Sequence, residues 1–339
     1  MKAIVHTKYG PPDVLQLNEV EKPTPKENQI LIKVHAASIN AADYRMMRAN
    51  PFPVRLMVGG LLRPKDPRFG SDVAGRVEAV GENVKQFRPG DEVFGCAKGA
   101  FAEYVLAREA YLALKPTNRS FEEAAAVPVA ALTALQGLRD AGGIRPGQEV
   151  LIQGASGGVG TFAVQLASSF GAKVTAVCST RNLDMARSIG ADRVIDYTKE
   201  DFTRNRQRYD LIFAVNGYHS LSAYKRALNP QGIYICAGGT MPQIFQAMLL
   251  GSLMSMNGYK KMGSMGIAKV NQKDLVYLGE LLEAGKIVPL IDRCYPLSEV
   301  PDAIRYVEEK HAQGKVVITR CTRLCSAALR KAGERERGR

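Results

Sequence analysis

Hydrophobic positions fall into two regimes along the chain. Up to about residue 117 they form short runs such as Ile30–Val34 and Val73–Val80, bounded by Gly, Pro and Asp. Pro89-Gly90-Asp91 supplies a turn between two of them. Such punctuation predicts a barrel or sandwich of short strands. Near residue 120 the pattern changes. Ser120 is placed to cap a helix, with Glu122 and Glu123 in its first turn, where negative charge is favoured. Helical, alanine-rich sequence follows, resuming from about Ala130 to Asp140.

Strand and helix patterns then alternate. Glu149–Gln153 is expected as a strand. Gly158–Phe170 is expected as a helix, with Val159, Phe162, Ala163, Leu166 and Phe170 on a helical period. Lys173–Val177 is the next strand and Asn182–Ile189 the next helix. Val194-Ile195, Leu211–Val215 and Ile233–Cys236 are further short strands. This alternation predicts an α/β fold with a doubly wound parallel sheet covered on both faces. Helices are expected over Lys273–Ala284 and from Ser298, and a last strand over Gly314–Ile318. The segment 241–265 holds six of the chain's eleven methionines, a soft cluster expected in a core or subunit interface.

Composition adds a basic balance. The 339 residues carry a formal net charge of +13. The tail 321–339 supplies +4 of it, from six basic residues against Glu334 and Glu336, and is expected to fray. A basic surface suits an anionic ligand. Neither a helix-turn-helix pattern nor a basic–aromatic stretch for specific nucleic-acid recognition is visible. The six cysteines form no C-x-x-C pair and do not read as a disulfide framework, so reduced thiols and a cytoplasmic location are expected. Neither a signal-peptide-like stretch nor a run of 18 apolar residues is visible.

The strongest candidate for chemistry is Gly154-Ala155-Ser156-Gly157-Gly158-Val159-Gly160, between a predicted strand and a predicted helix. A helix start offers unpaired N–H groups and partial positive charge. Gly157 and Gly158 lack a Cβ that would keep a pyrophosphate away, and Gly160 lets helix and strand pack closely. The next strand ends Val177-Cys178-Ser179-Thr180-Arg181, without the carboxylate that would bind a ribose 2′-OH. Ser179, Thr180 and Arg181 can instead receive a 2′-phosphate, so NADPH is the expected cofactor.

Gly70–Gly81, followed by Val84, Phe87, Gly90-Asp91 and Val93, resembles the quinone oxidoreductase signature of the medium-chain dehydrogenase/reductase family. Ala37–Tyr44, Ala131–Leu135 and Gly314–Val317 resemble further motifs of that branch, in the same order. The resemblance implies a GroES-like β-barrel catalytic domain over 1–117 and 265–320, with a Rossmann domain over 118–264 and the active site in the cleft between them. It also implies a homodimer. The zinc-dependent branch has Cys where this chain has Asn40 and His where it has Ser71, and four clustered cysteines where this chain has only Cys96, so no metal is expected. Without that Lewis acid, the implied reaction is hydride transfer from NADPH to an electrophilic acceptor, a quinone or an α,β-unsaturated carbonyl. An alkenal or enoyl double-bond reductase is the second reading, and a cofactor-binding interaction protein with a basic surface the third.

By the same resemblance, Asn40, Tyr44 and Thr133 surround the nicotinamide end. Tyr44 either bonds or protonates the substrate oxygen or packs against the cleft wall. Asn40 positions Tyr44 or the nicotinamide ribose, and Asp43 is a turn or capping residue. Tyr197 is expected near the adenosine. Val215-Asn216 and Gly238-Gly239, at later strand ends, and Lys315, in the closing strand, complete the expected cofactor contacts.

Overall fold

The computed structural model describes residues 1–50, 55, 60–240, 243–249, 261–310 and 312–319. The chain divides into two compact units. The first comprises Met1–Val129, Val270–Ala284 and the segment from Pro289, and the second Ala130–Lys269 with Gly285–Val288.

The first unit is built on a seven-stranded sheet. Its path runs Ile291–Pro296, Lys315–Thr319, Ile30–Ser38, Asp72–Val80, Glu92–Cys96 and Leu112–Leu114, and Tyr104–Ala107 pairs beside Ile30–Ser38. A separate antiparallel pair joins Lys2–Val5 to Gln16–Glu19. Ile30–Ser38 is apolar nearly throughout because it is buried on both faces. In Asp72–Val80 the exposed Arg76 and Glu78 flank the buried Val77, the alternation of a half-covered strand. Ile30, Ile32, Phe69, Val93, Phe101 and Ile304 lie in one core. The helix Ala41–Arg48 follows the strand Ile30–Ser38 directly, and the helix Phe121–Ala125 packs on that strand and on Asp72–Val80. This packing keeps the chain with the first unit up to Val129, twelve residues past the expected boundary.

The closing strand returns from far along the chain. Lys315–Thr319 pairs parallel to Ile291–Pro296 and antiparallel to Ile30–Ser38. Gly314 turns into it with φ +79°, and a Cβ there would sit 2.3 Å from the Leu290 carbonyl oxygen, so only glycine fits.

The second unit is a six-stranded parallel sheet. In space the strands run Arg193–Asp196, Lys173–Cys178, Glu149–Gln153, Tyr209–Ala214, Leu228–Cys236 and Lys261–Ser264. Numbered along the chain this order is 3-2-1-4-5-6, that of a doubly wound dinucleotide fold, with its reversal between the first and fourth strands. The first strand leads into the helix Gly158–Ser169. Leu151, Val177, Ile195, Ile212, Tyr224 and Tyr234 lie in one of its core clusters.

Cys96, Cys178 and Cys236 are free and buried, whereas Cys294 departs from the expected reduced state and is disulfide-bonded. Spacing in sequence does not report proximity in space. Of the methionine cluster, Met262 is buried and Met248 exposed, while Met241, Met254 and Met256 lie outside the described residues, as does the basic tail. Among the described residues no helix is long and apolar enough to cross a membrane.

Candidate active site

In the second unit, the predicted cofactor residues gather at the carboxyl ends of the strands. The strand Glu149–Gln153 ends at Gly154, with φ +82°, and the Gly154 and Ala155 amides both donate to the Val177 carbonyl at 3.1 Å. Those two amides therefore fasten the turn to the next strand. Gly158, Val159 and Gly160 open the helix, so their amides have no partner inside it.

The glycines differ in what they do. A Cβ on Gly160 would lie 2.0 Å from the Gly154 carbonyl oxygen and 2.8 Å from the Ala155 Cα, so this glycine serves helix–strand packing. A Cβ on Gly157 would meet nothing closer than the Gly154 carbonyl oxygen at 3.8 Å. Protein packing does not require glycine there. The open space beside a helix N-terminus fits an anionic group that must come close to the backbone.

Neighbouring strand ends are knitted to this turn. Val215 donates from its amide to the Gln153 carbonyl at 3.0 Å, and a Cβ on Gly154 would sit 2.9 Å from the Asn216 Cβ. Gly238 donates to the Ala214 carbonyl, and Gly239, with φ +133°, bridges to Gly217. Gly154, Val215, Asn216, Gly238 and Gly239 are thus brought together. Thr133 is half-buried on the helix Pro128–Gln136, where Ala131, Leu132, Ala134 and Leu135 are fully buried.

The end of the second strand is more crowded than its sequence implies. Arg181 is exposed, and Ser179 accepts from the Asn182 side chain at 3.1 Å. The Thr180 hydroxyl, expected to donate to a phosphate, donates instead to Asp196. Thr198 bonds the other Asp196 oxygen with its hydroxyl at 2.7 Å and its amide at 3.0 Å. The Thr180 hydroxyl, followed by Thr198, holds the Asp196 carboxyl below the usual carboxylate range. Sequence reasoning missed this carboxylate because it ends the third strand rather than the second; the parallel pairing of Asp196 with Cys178 brings it there. Tyr197 is half-exposed, 6.2 Å from Tyr218 between ring centroids.

In the first unit, Asn40 sits where the strand Ile30–Ser38 gives way to the helix Ala41–Arg48, in a buried polar cluster. Its side-chain amide donates to Asp72 Oδ2 at 2.8 Å, and its Oδ1 accepts from Lys315 Nζ at 2.7 Å. Asp72 is fully buried and also accepts from the Ser38 hydroxyl at 2.7 Å and the Val129 amide at 2.9 Å. Lys315 departs from the expectation of a cofactor contact. Only 2% of it is exposed, and its ammonium donates to Asn40, to the Ile39 carbonyl at 3.0 Å and to Asp72 at 3.3 Å. Three N–H bonds exhaust an ammonium. Lysine is rarely buried without such partners, and only the strand pairing shows that it has them.

Asp43 caps the helix, as one of its two expected roles required: its Oδ2 accepts the Asn40 amide at 2.7 Å. Its Oδ1 is buried and makes no hydrogen bond. Burial, reinforced by the Asp72 charge, pushes this carboxyl up to about 7. Tyr44, the next residue, packs its half-buried ring against the core. Burial and the Asp72 charge also raise the Cys96 thiol well above its ordinary value, so it stays protonated. Among the described residues no group of three or more His, Cys, Asp and Glu side chains is arranged to hold a metal ion.

Comparison with known proteins covers both units. The profile "Alcohol dehydrogenase GroES-like domain" matches residues 26–117, and the profile "Zinc-binding dehydrogenase" matches residues 189–318. The chain is 37% identical over 337 residues to 2-methylene-furan-3-one reductase of Solanum lycopersicum, spanning 94% of this chain and 79% of that protein. It is 35% identical, with the same coverage, to the chloroplastic NADPH-dependent alkenal/one oxidoreductase of Arabidopsis thaliana. The quinone oxidoreductase from Coxiella burnetii superposes with a TM-score of 0.83 at 31% identity, covering 94% of this chain and 99% of that one.

Proposed function

Because this chain belongs to the medium-chain dehydrogenase/reductase family, in its quinone oxidoreductase branch, we propose that it is an NADPH-dependent reductase of electrophilic acceptors, quinones or α,β-unsaturated carbonyls. The observation that carries the reading is the open backbone at Gly157, next to the helix start at Gly158. It fits a dinucleotide pyrophosphate, and the exposed Arg181 fits the 2′-phosphate.

When bound, NADPH supplies a hydride. The protein's own residues bind and orient. The amides of Gly158, Val159 and Gly160 hold negative charge without a lysine. Arg181 selects the phosphorylated dinucleotide, and the Lys199 ammonium, 3.8 Å from the Asp196 carboxylate, offsets that charge. Asn40 and Tyr44 are assigned to the acceptor end. There Asn40 retains one amide hydrogen, since a carboxamide has two and Asp72 takes one. That hydrogen can bond an acceptor oxygen on which negative charge develops, the kind of stabilisation that speeds addition to a conjugated carbonyl. A homodimer is part of the reading and is measured by light scattering.

The named relatives favour the enone side: one reduces a methylene-furanone and another is an alkenal/one oxidoreductase. Purified protein should show saturable NADPH uptake, and NADPH consumption with trans-2-hexenal exceeding that with 1,4-benzoquinone. The opposite order would move the acceptor to quinones. Silence with both acceptors, despite NADPH uptake, would end the enzymatic reading.

A further inference from the structure

We propose that Lys315 is a positioning residue for the reacting end of this enzyme, its buried ammonium fixing which way the Asn40 carboxamide faces. The inference rests on the assignment of Asn40 to the acceptor end.

The two ends of the Asn40 amide meet opposite charges. Its carbonyl oxygen lies 2.7 Å from the Lys315 ammonium, and its nitrogen 2.8 Å from the Asp72 carboxylate. A half-turn of the amide would set N–H against N–H and oxygen against carboxylate. In this buried site both contacts would be repulsive, and low polarity strengthens them. An asparagine between neutral partners can flip at little cost; this one cannot. The backbone is held as well, by Asp43 Oδ2 on the Asn40 amide. One side-chain N–H is thereby left with a defined direction.

Stability alone does not explain the ion pair. Lys315 is 2% exposed and Asp72 0%. A buried pair generally gives no more stability than apolar residues of the same volume. The remaining Asp72 partners are the Ser38 hydroxyl on Oδ2 and the Val129 amide and Cys96 thiol on Oδ1. What the ammonium adds is a cation beside Asn40 Oδ1. It is brought by a strand 275 residues away along the chain, held beside Ile30–Ser38 by antiparallel pairing.

The test is the double variant Lys315→Met/Asp72→Asn, which removes both charges at nearly constant volume, measured beside Asn40→Ala. The double variant is expected to melt below wild type, because the Ile39 and Asn40 carbonyl oxygens lose their donor, and to keep its KM for NADPH. Its kcat with trans-2-hexenal or 1,4-benzoquinone should fall by about 10-fold or more, as for a misoriented catalytic group. Adding Asn40→Ala to it should cost little further. Wild-type kcat in the double variant, with Asn40→Ala impaired, would overturn the proposal and leave Asn40 in place. Wild-type kcat in Asn40→Ala would remove the Asn40 assignment itself. If the double variant does not fold, Lys315→Gln and Lys315→Met decide. Glutamine can still donate to the Asn40 carbonyl and should retain more kcat at equal loss of melting temperature; equal kcat in the two would sink the idea.

Discussion

Two glycines three residues apart are expected to fail in different ways. Gly157→Ala places a methyl in space that the protein leaves open, so the melting temperature should hold while the KM for NADPH rises by roughly 10-fold or more. Gly160→Ala drives a methyl to 2.0 Å from a carbonyl oxygen, so it should lose stability first. Thermal melts paired with NADPH titration separate the two. Arg181→Ala should lower the preference for NADPH over NADH, by an amount set by a charge-assisted bond of about 1.5–3 kcal/mol. Asp196→Asn should raise that preference by removing a carboxylate near the same phosphate. Asp43 adds a pH dependence. Its folded carboxyl titrates at about 7, against 3.8 in the unfolded chain, so between those values the folded state keeps a proton that the unfolded state releases. Stability therefore falls as pH rises from about 4 to 7, by up to roughly 4 kcal/mol from this group, and is flat above. Urea melts across that range should show the slope, and Asp43→Asn should remove it. None of these side-chain pairings was legible in the sequence. Asp196 and Thr180 are sixteen residues apart, and Lys315, read from the sequence as a cofactor contact, is 275 residues from Asn40.

At the scale of elements, local chemistry predicted well where an element carries its own signals. Ser120 accepts the Glu123 amide at 3.2 Å, and Glu123 accepts the Ser120 amide at 2.8 Å, closing a reciprocal cap on Phe121–Ala125. Ser120→Ala should cost about 1 kcal/mol, seen as a lower melting temperature with unchanged kinetics for NADPH. The first five strands of the parallel sheet carry apolar runs and were found within a few residues, except that Leu228–Cys236 begins five residues earlier than Ile233. The sixth, Lys261–Ser264, has neither alternation nor an apolar run; it is a strand because it lies parallel along Leu228–Cys236. The helix Ala41–Arg48 was hidden for a related reason: eight residues give too little periodicity, and its start depends on Asp43 reaching back to the Asn40 amide.

For the whole molecule, the net charge of +13 should draw NADPH by a long-range, salt-sensitive attraction. Removing 326–339, which spares all six cysteines, takes away +3. It should weaken nonspecific binding to nucleic acid in a filter assay and leave the KM for NADPH unchanged; a large rise in that KM would assign the tail to the nucleotide. The sequence by itself determined the α/β character, the glycine turn and the order of elements, because each depends on residues close along the chain: a periodicity, a cap, a missing Cβ. Only the tertiary structure decided that the first unit runs to Val129, that Asp196 stands beside Thr180, and that Lys315 holds Asn40 against Asp72. Those depend on strand register, which brings distant residues within a few ångströms and turns a lysine that would be solvated alone into a buried, fully bonded cation.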